Sequence, residues 1–181
     1  MIQKYLKASQ IQWFSRNKKK VRRLGLSEED VVVVGIHHRR GDHLDYERVY
    51  NIPHITMTYL GPSMDLFLEK FNNCVLFLYV SDDQQWGEEH LARDRSVVVT
   101  RSDSRRSLAA GEDLALLSLC QHVISSRGTF SQWAARLAGG LTLRPCMFAQ
   151  TASREERRQR RSRWPADPLQ QAWQTSLWRP C

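Results

Sequence analysis

The chain has 181 residues, 41% of them hydrophobic and 25% charged, with a formal net charge of +8. This is the composition of an ordinary globular domain and excludes collagen, coiled-coil rods and low-complexity chains. The positive charge is confined to two runs, +6 over residues 16–23 and +4 over 154–163, so the remainder carries −2. A phosphate-backbone groove needs cations spread over one face, which argues against nucleic acid as a partner.

In chain order, Ile2, Tyr5, Leu6, Ile11, Trp13 and Phe14 fall at roughly helical spacing, which predicts a lead-in helix ending in the first basic run. Residues 1–29 thus read as helix and connector. Val31 to Ile36 is a continuous apolar run rich in β-branched residues, the pattern of a parallel strand covered on both faces. The cluster His37-His38-Arg39-Arg40-Gly41-Asp42 follows, and polar and turn residues continue to Gly61-Pro62. Met64, Phe67, Leu68 and Phe71 then mark one helical face, with Pro62 suited to the first turn.

Val75 to Val80 repeats the buried-strand pattern and stops at Ser81-Asp82-Asp83, before a short helix from Gln84 to Ala92 and a third strand over Ser96 to Thr100. Glu112 and Asp113 stand where a helix N-terminus favours acids, and Leu116, Leu119, Cys120 and Val123 mark that helix's buried face. Val123 to Ser125 is a short fourth strand. Its loop enters a helix from Phe130 to Ala138, with Phe130 and Trp133 expected in the core and Gly139-Gly140 as the stop. Leu141 to Ala149 reads as an edge strand, because Pro145 would be hard to place in a central one. Residues 151–181 form an Arg- and Trp-rich tail.

Strict alternation of strand and helix argues for an α/β domain over residues 30–150, an open parallel sheet with helices on both faces, binding its ligand at the carboxyl ends of the strands. Three polar clusters meet there: 37–42, 81–83 and 125–131. Arg39 and Arg40 offer fixed forks of donors suited to a diphosphate, Asp42 can brace a guanidinium, and the Ser/Thr-Gly loop opening a helix adds backbone N–H groups and a positive dipole end. Neither GxGxxG after the first strand nor GxxxxGK[ST] is present. The four cysteines, 74, 120, 146 and 181, lack CxxC or Cys/His spacing, so no metal site is expected. No apolar stretch approaches the ~20 residues that span a bilayer, and Met1 to Lys7 has no signal-peptide character. As written, the chain is expected to be soluble.

VGIHHRRGD at 34–42 resembles the G-x-H-V-R-R-G-D signature of the alpha-1,2-fucosyltransferases, and EDLALLSLCQHVISSRGTFSQWAARLAGG at 112–140 resembles their second long motif, in family order. The SDD at 81–83 is similar to the intermediate cluster, so the likeness covers about residues 30–145. The resemblance implies a Rossmann-like parallel sheet, the nucleotide-binding half of a GT-B type glycosyltransferase. It implies inverting, metal-independent transfer of L-fucose from GDP-fucose to the 2-hydroxyl of a terminal galactose on a glycan acceptor, with no cofactor.

Carried over by position, Arg39 and Arg40 would hold the diphosphate, His37 and Asp42 would shape and brace them, Asp113 would lie near guanine or ribose, and Ser125, Thr129, Phe130 and Ser131 would line the phosphate side. Arg40, Asp42 and Glu47 are the expected catalytic residues, and Asp42, Asp45 and Glu47 the alternatives for the general base. His38 departs from the motif's valine, Arg127 from an amide or small residue, and Gln132 from an aromatic or aliphatic one. The resemblance implies a Golgi membrane location for full-length animal members through an anchor, and both the anchor and the family's amino-terminal half are expected to be absent from these 181 residues. Such a chain is expected to be either a truncated transferase or an inactive nucleotide-sugar-binding remnant.

Overall fold

The computed structural model describes residues 30–94, 96–100 and 109–145, together with Lys7. The strands are β1 (Val32–His38), β2 (Val75–Ser81), β3 (Val97–Val99), β4 (His122–Ile124) and β5 (Thr142–Leu143). The helices are α1 (Gly41–Val49), α2 (Met57–Lys70), α3 (Gln84–His90), α4 (Ala109–Ser118) and α5 (Thr129–Ala138). All strand pairs are parallel, in the order β3-β2-β1-β4-β5. This is the expected α/β architecture.

The apolar runs of β1 and β2 are fully paired, from Val32 opposite Val75 to His38 opposite Ser81. Side chains alternate between two faces along a strand. Val34, Ile36, Phe77 and Tyr79 therefore join Leu60, Met64 and Phe67 of α2 in one core cluster. Val33, Leu76, Leu78 and Val80 join Leu116 and Leu117 of α4 and Ala134 of α5 in the other. Among the described residues the sheet begins with the central strand, moves outward through β2 and β3, and then returns to the opposite side of β1 as β4. Strand order therefore reverses between β1 and β4, and the crevice outside their carboxyl ends is where such sheets take ligands.

Several local expectations are corrected. Residues 41–49 form a helix where polar turns were expected. Its one buried side chain is Glu47, so it has no apolar stripe to announce it. Helix α2 begins at Met57, capped by the Thr56 hydroxyl, which accepts from the Thr58 N–H at 3.3 Å. Pro62 thus lies inside the helix, beyond the first turn, on its exposed side, where the carbonyl that loses its partner can face solvent. Asp113 is the fifth residue of α4, past its N-terminus. Leu119 is exposed just after α4 ends, and Trp133 is exposed at 57% instead of joining the core. Gly139 does end α5, in the left-handed conformation at φ 74°. The expected strand over 141–149 is two residues long within the described part. The lead-in helix over 2–14, both basic runs, the Arg- and Trp-rich tail, Cys146 and Cys181 lie outside the described residues. Cys74 and Cys120 are buried free thiols, and burial pushes Cys120 up to about 12.

Candidate active site

Alternation along β1 sends its two terminal histidines to opposite faces of the sheet. His37 turns toward α5, with its ring 4.8 Å from that of Phe130 and its Nδ1 hydrogen-bonded to the Ser131 hydroxyl and, at 3.2 Å, to that of Ser126. Burial, reinforced by the charges of Arg39, His38 and His43, lowers His37 to about 3. The ring is therefore a neutral strut under the β4–α5 loop. His38 turns toward α2 and α3, with Nδ1 2.8 Å from the Tyr79 hydroxyl and Nε2 3.2 Å from the Ile55 carbonyl. Burial, then the Arg40 charge, lowers it to about 4 against the opposing Ile55 bond and the charges of Asp82 and Asp83. A carbonyl can only accept, so Nε2 carries the proton and Nδ1 accepts from Tyr79.

Past the strand end, the backbone N–H of Arg39 donates to the Ser126 hydroxyl at 3.1 Å, which ties β1 to the β4–α5 loop across the point where strand order reverses. The Arg40 N–H donates to Asp82 at 2.8 Å. The Arg39 guanidinium is clamped between Asp42, 2.8 Å from Nη2, and Asp82, 3.3 Å from Nε. Arg40 donates Nε–H to Asp83 at 2.9 Å and lies over the Trp86 indole, 4.9 Å from the ring centre. The two differ in depth, with side chains 43% exposed for Arg39 and 15% for Arg40.

Asp83 also caps α3, accepting from the Trp86 N–H at 3.1 Å. Burial raises its pKa, but the Trp86 and Arg40 bonds outweigh this and hold it below the ordinary aspartate value. A Cβ at Gly41 would stand 2.7 Å from an Asp82 carboxylate oxygen, so a side chain there would have to push that carboxylate aside.

The β4–α5 loop completes the crevice. Ser125 is buried, its hydroxyl donating to the Leu143 carbonyl at 3.1 Å, and its own carbonyl accepts from the Tyr59 hydroxyl. Arg127 reaches back to α1, where Nη1 meets Glu47 Oε1 at 2.5 Å and donates to the Pro53 carbonyl at 3.0 Å. Glu47 Oε2 takes His54 Nδ1 at 2.8 Å. Gly128 precedes α5 at φ 104° and ψ 160°, a conformation only glycine adopts readily, and Thr129 stands exposed at the first helical position. Among the described residues no group of three or more His, Cys, Asp or Glu side chains is placed to hold a metal, and no helix is long and apolar enough to cross a membrane.

Residues 6–166 match glycosyl transferase family 11. The chain belongs to that family. It is 35% identical over 111 residues to galactoside alpha-(1,2)-fucosyltransferase 1 of Bos taurus, covering 61% of this chain and 30% of the relative. It is 36% identical over 124 residues to the Leontopithecus chrysomelas protein of the same name, covering 67% and 33%. It is 33% identical over 121 residues to galactoside 2-alpha-L-fucosyltransferase Sec1 of Mus musculus, covering 66% and 32%. The chain thus spans about a third of the length of the curated relatives it matches. No solved structure matches.

In this family 11 chain the structure brings His37, Arg39, Arg40, Asp42, Phe130 and Ser131 to one end of the sheet, with Thr129 at the rim. Ser125 faces β5. Asp113 is half-buried in the first half of α4, a helix that must run antiparallel to the strands it connects and so enters from their carboxyl edge. Glu47 is buried beneath the β4–α5 loop. Ser126 and Arg127 lie in the cluster expected at the site but were given no individual role there, and His54 and Trp86 were not among the expected site residues. Ser126 was within reach as the second hydroxyl of the Ser-Ser-Arg-Gly loop, whereas the partners of Arg127 and His54 depend on the unanticipated helix α1.

Proposed function

We propose that this family 11 chain carries the donor-binding part of an alpha-1,2-fucosyltransferase, holding GDP-fucose and directing L-fucose, with inversion, to the 2-hydroxyl of a terminal galactose on a glycan. The observation that carries the reading is the pair Arg39 and Arg40, fixed at the carboxyl end of the central strand beside the reversal of strand order.

In the transfer, the acceptor oxygen bonds to the anomeric carbon of fucose while the bond from that carbon to the diphosphate breaks and its electron pair leaves on GDP. Donors already oriented toward the developing charge stabilise it without reorganisation. Asp42 and Asp82 hold the Arg39 fork by Nε and one terminal nitrogen, Asp83 holds the Arg40 fork by Nε, and each guanidinium has five N–H donors. Thr129 and the N-terminus of α5 offer backbone N–H groups to the same anion, with Phe130 and Ser131 fixed behind them by His37. Asp113 is assigned to the nucleoside end. The Golgi membrane setting of full-length members belongs to the same reading.

Titration calorimetry of the chain with GDP and GDP-fucose in EDTA tests it. Heat of binding is expected without any divalent ion. Binding that requires Mn²⁺ or Mg²⁺ would remove the role given to the arginines.

A further inference from the structure

Resting on the donor reading above, we propose that His54, backed by the buried carboxylate of Glu47, is the general base that takes the proton of the attacking hydroxyl. Glu47 is 2% exposed, with Oε1 on Arg127 and Oε2 on His54. A carboxylate so enclosed has no approach to a substrate hydroxyl, which a base must reach within hydrogen-bond distance. The His54 side chain, by contrast, is 43% exposed and open to solvent.

Glu47 faces the Arg127 guanidinium through Oε1 and the His54 ring through Oε2, so its oxygens accept from both. Nδ1 of His54, 2.8 Å from Oε2, is therefore the protonated nitrogen of the neutral imidazole, and the basic lone pair stays on Nε2. A buried acid that orients an imidazole and stabilises the imidazolium is the logic of the carboxylate in hydrolytic triads.

The pair is held at the crevice by construction. Arg127 bonds both Glu47 and the carbonyl of Pro53, the residue before His54. Arg127 also follows Ser126, whose hydroxyl accepts from the Arg39 N–H. Helix α1, the 53–54 segment and the β4–α5 loop are thereby locked together beside the diphosphate-facing arginines. An incidental surface His–Glu pair would have both partners in water. Here the acid is desolvated, and a desolvated charge is kept only by close partners.

In the step, Nε2 accepts the hydroxyl proton as oxygen bonds to the anomeric carbon, and the electron pair of the breaking bond departs on the diphosphate. The proton later leaves the imidazolium for solvent. Water can replace the sugar hydroxyl, so hydrolysis of GDP-fucose reports the same base. The Glu47 carboxylate bonds the ring directly, and Arg127 is bonded to that carboxylate and to the Pro53 carbonyl.

The test measures fucose release from GDP-fucose by the full chain, with and without lactose, beside calorimetric donor affinity. H54A is expected to lower turnover by roughly 10²–10⁴-fold at unchanged donor affinity, and added imidazole to restore part of it. H54N, whose amide can still donate to Glu47, is expected to be as slow, whereas a purely structural role would let it recover. Imidazole ¹⁵N shifts should show His54 protonated at Nδ1 near neutral pH. An Nε2–H tautomer, equal turnover in H54A and wild type, or a donor-bound wild type that releases no fucose overturns the assignment. Failure to bind GDP-fucose at all overturns the donor reading instead.

Discussion

The His38 imidazole and the Tyr79 phenol, on neighbouring parallel strands, meet at 2.8 Å inside the core. His38 stands opposite Ser81 in the register and Tyr79 opposite Ile36, so the two are diagonal neighbours on one face of the sheet. Gly87 makes room for the phenol, because a Cβ there would collide with the Tyr79 ring. The imidazole stands where the resembling signature has valine, and the phenol's burial is satisfied by it.

Restoring valine is therefore expected to cost stability. H38V takes the His38 bond from the Tyr79 hydroxyl, which keeps Ser81 beside it, and the Nε2–H donor from the Ile55 carbonyl, at a penalty of about 1–3 kcal/mol for a buried group that loses its hydrogen bond. H38V/Y79F, which removes the phenol's polar end as well, should cost less than the two single changes added. Urea unfolding of the four proteins gives the coupling, and strict additivity would mean the bond contributes nothing.

Acid should loosen the fold through both strand-end histidines. Unfolded, each titrates near 6.5, while folded His37 and His38 are lowered to about 3 and about 4, by burial first. From pH 6.5 down to about 4 the unfolded chain binds two protons that the folded chain refuses, so stability falls as pH falls and is fully present above 6.5. Each group contributes a slope of up to about 1.4 kcal/mol per pH unit. H38V should remove about half of that combined slope, measured as the shift of the urea midpoint between the two ends of the window. An unchanged slope would show that the titration of His38 does not matter.

The two arginines should separate in mutagenesis. R39A removes an exposed fork whose charge-assisted bonds are worth about 1.5–3 kcal/mol each, so GDP-fucose binding should weaken at least tenfold with little change in melting temperature. R40A should weaken binding and also lower the melting temperature, because Arg40 packs over Trp86 and neutralises Asp83. Calorimetry and thermal melts on both variants decide it, and equal donor affinity in R39A and wild type would move the site elsewhere.

The sheet was legible because β1 and β2 are buried on both faces and so read as apolar runs, broken only by Gly35 and Tyr79, and the clusters that end them had to lie at one edge. Helix α1 was not legible, since its buried position is an acid held by Arg127, eighty residues away in the chain. The pairing of Glu47 with His54 was hidden with it. Trp133 shows the converse error, an aromatic at helical spacing that the fold leaves in solvent. The arginine forks could be named from sequence, but the division of labour among Asp42, Asp82 and Asp83 needed coordinates.

Two glycine-to-alanine changes should act with opposite signs. Gly111 lies in the first turn of α4, where an added Cβ meets nothing within 4 Å. Alanine there restricts the unfolded chain and favours the helix, so G111A should stabilise the protein by about 0.4–1 kcal/mol. Gly128 sits at φ 104°, and alanine must either be strained there, at a cost of about 1–3 kcal/mol, or rotate the peptide. Rotation would move the Arg127 carbonyl and the Thr129 N–H, the two ends of the turn that aims Arg127 at Glu47 and opens α5 toward the crevice. G128A is thus expected to lower both the melting temperature and GDP affinity, while G111A raises the first and leaves the second alone. Parallel melts and GDP titrations check both, and a G128A protein as stable and as tight-binding as wild type would show that the turn has no part in the site.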